Sequence, residues 1–385
     1  MWMYFALQTL LLFIAFLSGY KLSKNPNNSF YFWLIVIAFT LIEGLRFGRG
    51  IDYNIYVHSW YNIVTYNAFS ADETFLFNLY CRLLIFLGIP YQGLIISCSF
   101  ILIYNGLSFL KKYHAVLWLS LPFFIVLCYS AENLFKWYTG FSFILLALSA
   151  LNEGNLKKFI LFSFIGCGIH PMLFLIVVAF WIINFVKKEI LPPWLALSLY
   201  VVVSLIWTNE HMLMFTHIVT FFMQESTHYS MYSDRATEWL TGENRDEMAI
   251  AITTHIKMFC YFALYLYVGR LVVKKNKSLL LYYNVLVVGY ITFPAMHVVE
   301  LFDRYNQLFV LFNCLIGAYC FYFVLWRKIR VNRLVVIATF FLFLWQVNFL
   351  VTNNIVTNKW YTLYIWDSKG RDSLPIQYLI NAPRR

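Results

Sequence analysis

The sequence predicts an all-helical, polytopic integral membrane protein. Of its 385 residues, 61% are hydrophobic and only 12% are charged, and the mean hydropathy is +0.67. An average soluble domain is about 45–50% apolar and about 25% charged. The composition therefore excludes a soluble globular enzyme, a disordered chain and a disulfide-stapled secreted domain. All seven cysteines lie in apolar runs without a CxxC spacing, and we interpret them as buried hydrophobic residues.

Twelve apolar segments have the length, or nearly the length, of a membrane crossing, which takes about 20 residues for about 30 Å of hydrocarbon. The run 158–186 is interrupted at His170-Pro171, so we divide it into two short helices that meet there. Segment 74–88 contains Arg82 and is too short to cross, which favours a helix that lies in the membrane interface. The predicted crossings are 2–20, 29–45, 91–110, 115–129, 134–151, 158–170, 172–186, 190–207, 248–273, 279–300, 305–326 and 334–351.

The basic residues indicate the orientation of these crossings. Sixteen of the 29 Lys and Arg fall in short loops on one side, where only Glu153 and Glu189 accompany them, and such an excess marks the cytoplasm. Both termini are then expected outside. Because the rest of the chain is slightly acidic, the net charge of +11 is a topology signal and not the footprint of a nucleic-acid-binding protein. The basic loop residues are Lys21, Lys24, Lys111, Lys112, Lys157, Lys158, Lys187, Lys188, Arg270, Lys274, Lys275, Lys277, Arg327, Lys328, Arg330 and Arg333.

The domain organisation predicted from these segments is simple. Residues 1–351 are expected to form one integral membrane domain with an extracytoplasmic loop at 208–247, and residues 352–385 an extracytoplasmic tail. The tail carries several aromatic residues. They favour an aromatic belt at the membrane interface over a glycan contact. These residues are Trp360, Tyr361, Tyr364 and Trp366.

Four basic residues are expected on the outer face, away from the cytoplasmic loops. Arginine binds phosphate bidentately, and an ionisable group at the end of a span is costly enough to suggest a function. The alternatives are snorkelling of Lys136 to the interface and a structural ion pair of Arg304 with Asp303 or Glu300. The four residues are Arg46, Arg49, Lys136 and Arg304.

The loop after the second crossing combines glycines, arginines, an acid and two tyrosines. Its glycines, at 44, 48 and 50, allow tight turns and close approach of the backbone to a ligand. Asp52 follows the two arginines, and Tyr53 and Tyr56 add aromatic surfaces with hydroxyl groups. This combination suits an anion together with a polyhydroxylated ligand. A capped turn with an Arg–Asp pair is the alternative interpretation.

A histidine and a long loop complete the predicted site. His170 ends a helix too short to reach the outer surface, so it should lie in a recess, either as a base or as a packing residue. In the loop 208–247, we predict glycan contacts for Tyr229, Tyr232, Arg235 and Trp239. The outer loops contain no DxD pair, and the histidines of the long loop fit no common zinc spacing. We therefore predict a reaction without metal or other cofactor.

Several short motifs resemble those of EpsG-type proteins, which are Wzy-like polymerases of exopolysaccharide and O-antigen. Arg46-x3-Gly50-x-Asp52-Tyr53-x2-Tyr56 is similar to their first outer loop, and Glu73 to the acidic residue before an amphipathic segment. Asn133-Leu134-Phe135-Lys136 resembles a span that begins with a basic residue, usually Arg. Gly168-Ile169-His170-Pro171 resembles a helix that ends in histidine, and Arg304-Tyr305 a late Arg at a span start. Lys136 and Pro171 depart from the usual residues, and the resemblance covers most of residues 40–320.

The resemblance implies an integral glycosyltransferase of GT-C-like architecture in the bacterial cytoplasmic membrane, with its active site on the extracytoplasmic side. Such an enzyme transfers a glycan chain from undecaprenyl diphosphate to the non-reducing-end hydroxyl of another lipid-linked repeat unit, sometimes with a chain-length regulator as partner. For such a reaction we expect diphosphate binding by the four outer cations and catalysis by Asp52, His170 and Arg304. A developing diphosphate charge calls for such cations, and the hydroxyl for a base, Asp52 before His170.

Three other functions remain open at this point. A flippase of lipid-linked glycans would resemble transporters, which often have related halves and broken helices near the midplane. The sequence has one broken helix, at 166–171, without a matching second half. A membrane acyltransferase would place a histidine in a recess but would not need four outer cations. A ligase that joins the finished glycan to another acceptor would share the chemistry of a polymerase.

Overall fold

The computed structural model describes residues 2–47, 53–66, 74–128, 131, 134–206, 252–297, 300–326, 328–356 and 364–365. Throughout this part of the chain the regular structure is helical, apart from one isolated antiparallel bridge between Arg46 and Tyr364. The α-helices are α1 (Trp2–Lys24), α2 (Ser29–Gly44), α3 (Tyr53–Tyr66), α4 (Phe75–Phe86), α5 (Tyr91–Leu110), α6 (Leu117–Leu127), α7 (Phe135–Asn152), α8 (Leu156–Ile169), α9 (Leu173–Asn184), α10 (Pro193–Ile206), α11 (Ile252–Leu264), α12 (Arg270–Lys275), α13 (Leu280–Met296), α14 (Glu300–Val310), α15 (Asn313–Leu325) and α16 (Arg333–Val356).

The composition and these helices make the protein a polytopic membrane protein. Six helical segments in the described ranges are long and apolar enough to cross a bilayer, and four shorter apolar helices accompany them. The twelve predicted crossings are therefore not established one by one, and the count stays a prediction. The six segments are Met3–Lys24, Tyr91–Leu127, Thr253–Lys275, Lys277–Met296, Phe302–Leu325 and Arg333–Thr352.

The predicted break in the run 158–186 is confirmed. Helix α8 ends at Ile169, and His170 has the extended backbone angles φ −145° and ψ 103° before α9 begins at Leu173. The cause is Pro171, because the ring of a proline disfavours the helical conformation of the residue before it. The break leaves the His170 side chain at the end of α8, as the sequence predicted.

Helix α3 lies where the sequence predicted a loop. Its residues Tyr53 and Trp60 are buried, and Tyr56 and Ile63 pack against the same core clusters. Their spacing of three, four and three residues is that of one face of a helix. The prediction failed because this short amphipathic segment was assigned to the same loop as the glycines and polar residues before Tyr53.

The start of the predicted crossing 305–326 differs in detail from the prediction. The candidate span Phe302–Leu325 covers nearly all of the predicted crossing 305–326. The helix begins earlier, at Glu300, and a turn at Leu311–Phe312 separates α14 from α15. Arg304 therefore lies inside α14 and not at its first residue. The turn is closed by hydrogen bonds from Leu311 N to Gln307 O at 2.9 Å and from Cys314 N to Leu311 O at 3.0 Å.

The chain divides into two compact units, of which unit 1 comprises residues 1–177 and 347–385. Within it, α1 packs on α2 and α6, α2 on α5, and α5 on α7. Helices α7 and α8 form a tight antiparallel pair around Gly154, whose φ of 74° gives the left-handed turn that glycine adopts without strain. Asn155 then caps α8 by accepting a hydrogen bond from Lys158 N at 3.1 Å.

Unit 2 comprises residues 178–346. Its core is rich in buried aromatic rings: Phe262 of α11 stacks on Tyr290 of α13 with centroids 5.2 Å apart, and the π-helical turn Tyr265–Gly269 follows α11 directly. Asn284 holds the connection between α9 and α10 by donating to Lys188 O at 2.9 Å and accepting from Ile190 N at 3.1 Å. The prediction of a single domain over 1–351 stays a prediction.

Candidate functional site

Arg46 follows the end of α2 in unit 1 and is buried, with 3% of its surface exposed. Its Nη1 donates to Glu43 O at 2.7 Å and to Ser99 Oγ at 3.4 Å, and its Nη2 donates to Ala131 O at 3.5 Å. A cation suits this place, because the last carbonyl groups of a helix carry partial negative charge. Its Nε is buried and has no hydrogen-bond partner in the described part of the chain.

A recess that is partly open to solvent borders this guanidinium. Glu43, which is 7% exposed, contributes a carboxylate that accepts a hydrogen bond from Nε2 of Gln8 on α1. Arg46 and Glu43 are the charged residues of the lining, and most other members are apolar or weakly polar. The lining residues are Gln8, Phe39, Glu43, Arg46, Cys98, Ser99, Leu102, Ile125, Cys128, Ala131, Phe135 and Thr139.

The backbone of Arg46 is held from two further directions. Nε2 of Gln92 donates to Arg46 O at 3.1 Å, and Ile365 N donates to Leu45 O at 3.2 Å. Tyr364 forms the isolated bridge with Arg46, and its side chain is fully buried. The predicted interfacial belt is therefore wrong for Tyr364, which packs inside unit 1. The other three aromatic residues of the tail prediction lie outside the described residues.

Glycine at position 44 sets the approach of α2 to α5. A Cβ there would lie 2.8 Å from the Cα of Ile96, so a larger residue would push the two helices apart. The close approach brings Ser99 of α5 within hydrogen-bonding distance of Arg46. The glycine that the sequence suggested for backbone approach to a ligand serves helix packing instead.

Lys136 is the second residue of α7, at the helix start that the sequence predicted. Its Nζ lies 4.9 Å from the ring centroid of Phe77 on α4, a cation–π distance. The residue before it, Phe135, lines the recess and packs on Tyr56 with ring centroids 4.2 Å apart. The fold thus brings Tyr56 and Lys136 next to the wall of the Arg46 recess.

His170 joins this group through the following residue of α7. Its ring meets Trp137 edge-on, with centroids 4.7 Å apart and an interplanar angle of 89°. The side chain is partly exposed, and its backbone N–H donates to Gly166 O at 3.0 Å. Arg46, Tyr56, Lys136 and His170 are therefore all connected through the first turn of α7.

Tyr53 occupies a different environment from the one expected for a glycan contact. It is 4% exposed, and its ring packs against Phe47 and Tyr91 with centroid distances of 5.9 and 5.7 Å. The structure therefore places its ring in the core of unit 1. Its predicted role in glycan binding stays a prediction.

Arg304 belongs to unit 2, where it is partly exposed on α14. The residue before it, Asp303, has one carboxylate oxygen 2.6 Å from Nδ1 of His297, and the other accepts from Nε2 of Gln307 at 2.6 Å. The sequence suggested neither contact, because His297 follows the end of α13 and a sequence pattern cannot show which residues meet across two helices. A histidine at the end of one helix and an acid in the first turn of the next is the signal that could have indicated the pair.

The remaining predicted site residues lie outside the described residues. They are Arg49, Asp52, Tyr229, Tyr232, Arg235 and Trp239. Among the residues that are described, three or more His, Cys, Asp or Glu side chains nowhere form a group that could hold a metal ion. The predicted metal-independent reaction stays a prediction.

The model of the EpsG family matches residues 29–365. The chain belongs to the EpsG family. The match runs from α2 to the tail residues beside Arg46, so it includes the recess residues other than Gln8. This EpsG-family protein is therefore a membrane protein of a polysaccharide-polymerase-like, glycosyltransferase-like family. Neither the curated proteins nor the solved structures contain a match to it.

Proposed function

We propose that this EpsG-family protein is a Wzy-type glycan polymerase at the extracytoplasmic face of the bacterial cytoplasmic membrane. It transfers a glycan chain from undecaprenyl diphosphate to the non-reducing-end hydroxyl of another lipid-linked repeat unit. The acceptor oxygen bonds to the anomeric carbon of the donor, the bond from that carbon to the diphosphate oxygen breaks, and lipid diphosphate leaves. The observation that carries the proposal is Arg46, a buried guanidinium beside an otherwise weakly polar recess.

A diphosphate leaving group gains negative charge as the bond breaks, and a fixed cation in a dry site stabilises that charge most effectively. Arg46 is fixed by backbone and hydroxyl oxygens, which do not neutralise its charge. Its Nε supplies a donor for an incoming oxygen. The carboxylate of Glu43 lines the same recess and accepts a hydrogen bond from Gln8. Its negative charge limits how many further negative groups the recess can bind.

Two further described cations are proposed diphosphate ligands. Lys136 lies beside the recess wall, with its Nζ at a cation–π distance of 4.9 Å from the ring centroid of Phe77. Arg304 on α14 is the second arginine among the described candidates. The two arginines can offer planar forks to phosphate oxygens, and Lys136 a point charge. Arg49 is proposed as a further diphosphate ligand on the basis of its sequence position alone.

The glycan needs aromatic surfaces and hydrogen-bonding groups, and the acceptor hydroxyl needs a base. Tyr56 on α3 contacts the recess wall through the ring of Phe135. Tyr53 and the four residues of the 208–247 loop remain proposed glycan contacts. The sequence offers two bases, Asp52 as the first choice and His170 as the second.

The function is tested by deleting the gene and separating the surface polysaccharide on a gel. Loss of a polymerase leaves a single repeat unit on the acceptor, and reintroduction of the wild-type gene restores the ladder of longer chains. Loss of a ligase or of a flippase leaves no glycan on the acceptor at all. A deletion strain with an unchanged ladder, or with no glycan, would contradict the polymerase.

The site is tested by complementing the deletion with Arg304→Ala and with Asp52→Asn. Each variant is expected to leave mostly single repeats, because one lacks a diphosphate cation and the other a candidate base. Arg333→Ala is the matched control, since Arg333 is exposed at the start of α16, on the predicted cytoplasmic side. Full chain length from both site variants at normal expression would refute the site assignment.

A further inference from the structure

A histidine and an aspartate form a bonded pair at the junction of α13 and α14. His297 ends α13, with its N–H donating to Phe293 O at 2.9 Å, and its Nδ1 lies 2.6 Å from Oδ1 of Asp303. The other carboxylate oxygen of Asp303 accepts from Gln307 Nε2 at 2.6 Å. On its flat side the imidazole stacks on the ring of Phe293, with centroids 4.8 Å apart. The ring is therefore held in one orientation.

The two helices that carry the pair are themselves locked together. Asn306 of α14 is 1% exposed, and its Nδ2 donates to Gly289 O at 2.7 Å and to Thr292 Oγ1 at 3.2 Å on α13. Gly289 allows this approach, because a Cβ there would lie 2.6 Å from Cβ of Phe309. The spacing between His297 and Asp303 is thus set by neighbouring contacts and not by the pair alone.

The contact with Asp303 determines which nitrogen of His297 can exchange a proton. A carboxylate can only accept, so the proton between the two groups belongs to Nδ1. The opposite nitrogen, Nε2, has no hydrogen-bond partner in the described part of the chain, and 31% of the side-chain surface is exposed. An imidazole that an acid orients in this way can act as a general base through its other nitrogen. The acid then stabilises the imidazolium that forms.

The pair lies at the boundary between two candidate membrane spans. One span, Lys277–Met296, ends immediately before His297, and the next begins at Phe302. A glycan carried on a lipid diphosphate has its reacting carbon at such a boundary, with the lipid on one side and the sugars in water on the other. Arg304, a proposed diphosphate ligand, directly follows Asp303 in the chain.

We propose that His297 is the general base of the polymerisation, with Asp303 as the residue that positions it; this inference rests on the proposed polymerase function. Nε2 takes the proton of the acceptor hydroxyl while that oxygen bonds to the anomeric carbon of the donor. The bond from this carbon to the diphosphate oxygen breaks, and its electron pair leaves with the lipid diphosphate. The imidazolium then returns its proton to the departing diphosphate or to water.

The test uses the lipid-linked single repeat that accumulates in the deletion strain, extracted and supplied to the purified full-length protein in vesicles. His297→Ala is expected to lower kcat by about 10²- to 10⁴-fold while KM stays within about twofold. Free imidazole added to His297→Ala should restore part of the rate in proportion to its concentration. His114→Ala is the matched control, because His114 is an exposed histidine whose ring contacts Ser23 O, and it should match the wild type.

The positioning role has its own readout. In the wild type, kcat/KM should rise with pH as the base loses its proton and then level off, and His297→Ala should lack that rise. Asp303→Asn should lower kcat and move the rise along the pH axis, and Asp303→Glu should recover part of the rate. His255 is the neighbouring imidazole within electrostatic range of His297, so His255→Gln is measured in parallel and should keep the rise.

Three results would overturn the assignment. One is a His297→Ala protein that is as active as the wild type. Another is an inactive but folded His297→Ala protein that imidazole does not rescue, which would indicate a structural pair between two helix ends. The third is loss of the pH-dependent rise in Asp52→Asn, His170→Gln or His255→Gln instead. If the wild-type protein itself does not lengthen the lipid-linked repeat, the proposed polymerase function fails, which is a distinct outcome.

Discussion

The two units of the protein each hold one charged side chain, and they do so in opposite ways. In unit 1, the buried guanidinium of Arg46 is held by two carbonyl oxygens and a hydroxyl. In unit 2, the carboxylate of Asp303 is held by an imidazole and an amide. The first arrangement fixes a permanent charge without cancelling it. The second links an acid to a group that can gain and lose a proton.

This difference suggests a division of labour in the reaction. A guanidinium stays protonated at all physiological pH values, so it can stabilise a developing diphosphate charge but cannot act as a base. An imidazole can exchange a proton within the physiological range, and an acid on Nδ1 prepares its other nitrogen for that task. Under the proposed function, Arg46 takes an electrostatic role and the pair of His297 and Asp303 a role in proton transfer.

The largest effect that tests this division is expected at Arg46. Arg46→Met removes a preorganised charge and should lower kcat by about 10²- to 10³-fold, the cost of losing a strong transition-state donor. Arg46→Lys should remain far below the wild type, because an ammonium group cannot reach Glu43 O, Ser99 and Ala131 O together. Arg330→Lys, at an exposed position, is the control. The measurement is chain elongation on the extracted lipid-linked repeat, and a fully active Arg46→Lys protein would show that the fork geometry is not needed.

Gly289→Ala is expected to disturb unit 2 alone. The added Cβ would lie 2.6 Å from Cβ of Phe309, which is too close to the backbone of α14 for a side-chain rotation to relieve. Separation of α13 and α14 should destabilise the protein by about 1–3 kcal/mol, seen as a lower Tm in detergent. In Gly269→Ala the nearest atom is a ring carbon of Tyr283 at 3.1 Å, which can move, so the loss should be smaller. Equal Tm values for both variants and the wild type would mean that the α13–α14 contact is not tight.

A smaller effect is expected at Lys136. Lys136→Met keeps the length of the side chain but removes the charge over the ring of Phe77, and should lower kcat by about tenfold, about 1.4 kcal/mol. Lys136→Arg should retain most of the activity, since a guanidinium makes the same cation–π contact. The two variants are compared at equal expression by elongation rate. If Lys136→Met equals the wild type, the residue only anchors the start of α7 at the interface.

The sequence predicted the helical class, most helix positions and the break at His170, because each depends on local composition or on a single proline. It did not predict α3, whose apolar face is short and follows a glycine-rich stretch. It also could not show that Arg46 is buried, because that burial depends on Ser99, Ala131 and the tail residue Tyr364, which are distant in the chain. The pair of His297 and Asp303 was missed for the same reason: it arises from the packing of two helices.

The smallest expected effect compares one ion pair in each unit at partly exposed positions. In unit 1, Lys112 pairs with Glu153, with side chains 44% and 51% exposed. In unit 2, Nε of Arg270 lies 2.7 Å from Oε2 of Glu189, with side chains 42% and 21% exposed. A double-mutant cycle on Lys112–Glu153 should give less than about 1 kcal/mol, because water and salt screen exposed charges.

The Arg270–Glu189 pair should couple more strongly than Lys112–Glu153, because its carboxylate is less exposed and the hydrogen bonds of Asn284 fix the adjoining loop. Raising the salt concentration should weaken both couplings in thermal unfolding experiments. A coupling that salt leaves unchanged would instead arise from packing of the side-chain stems. The result also bears on the candidate site. If even the more shielded pair contributes little to stability, ion pairing does not explain why charges are present in this protein. Arg46, which is held by neutral groups, then has the stronger claim to a role beyond stability.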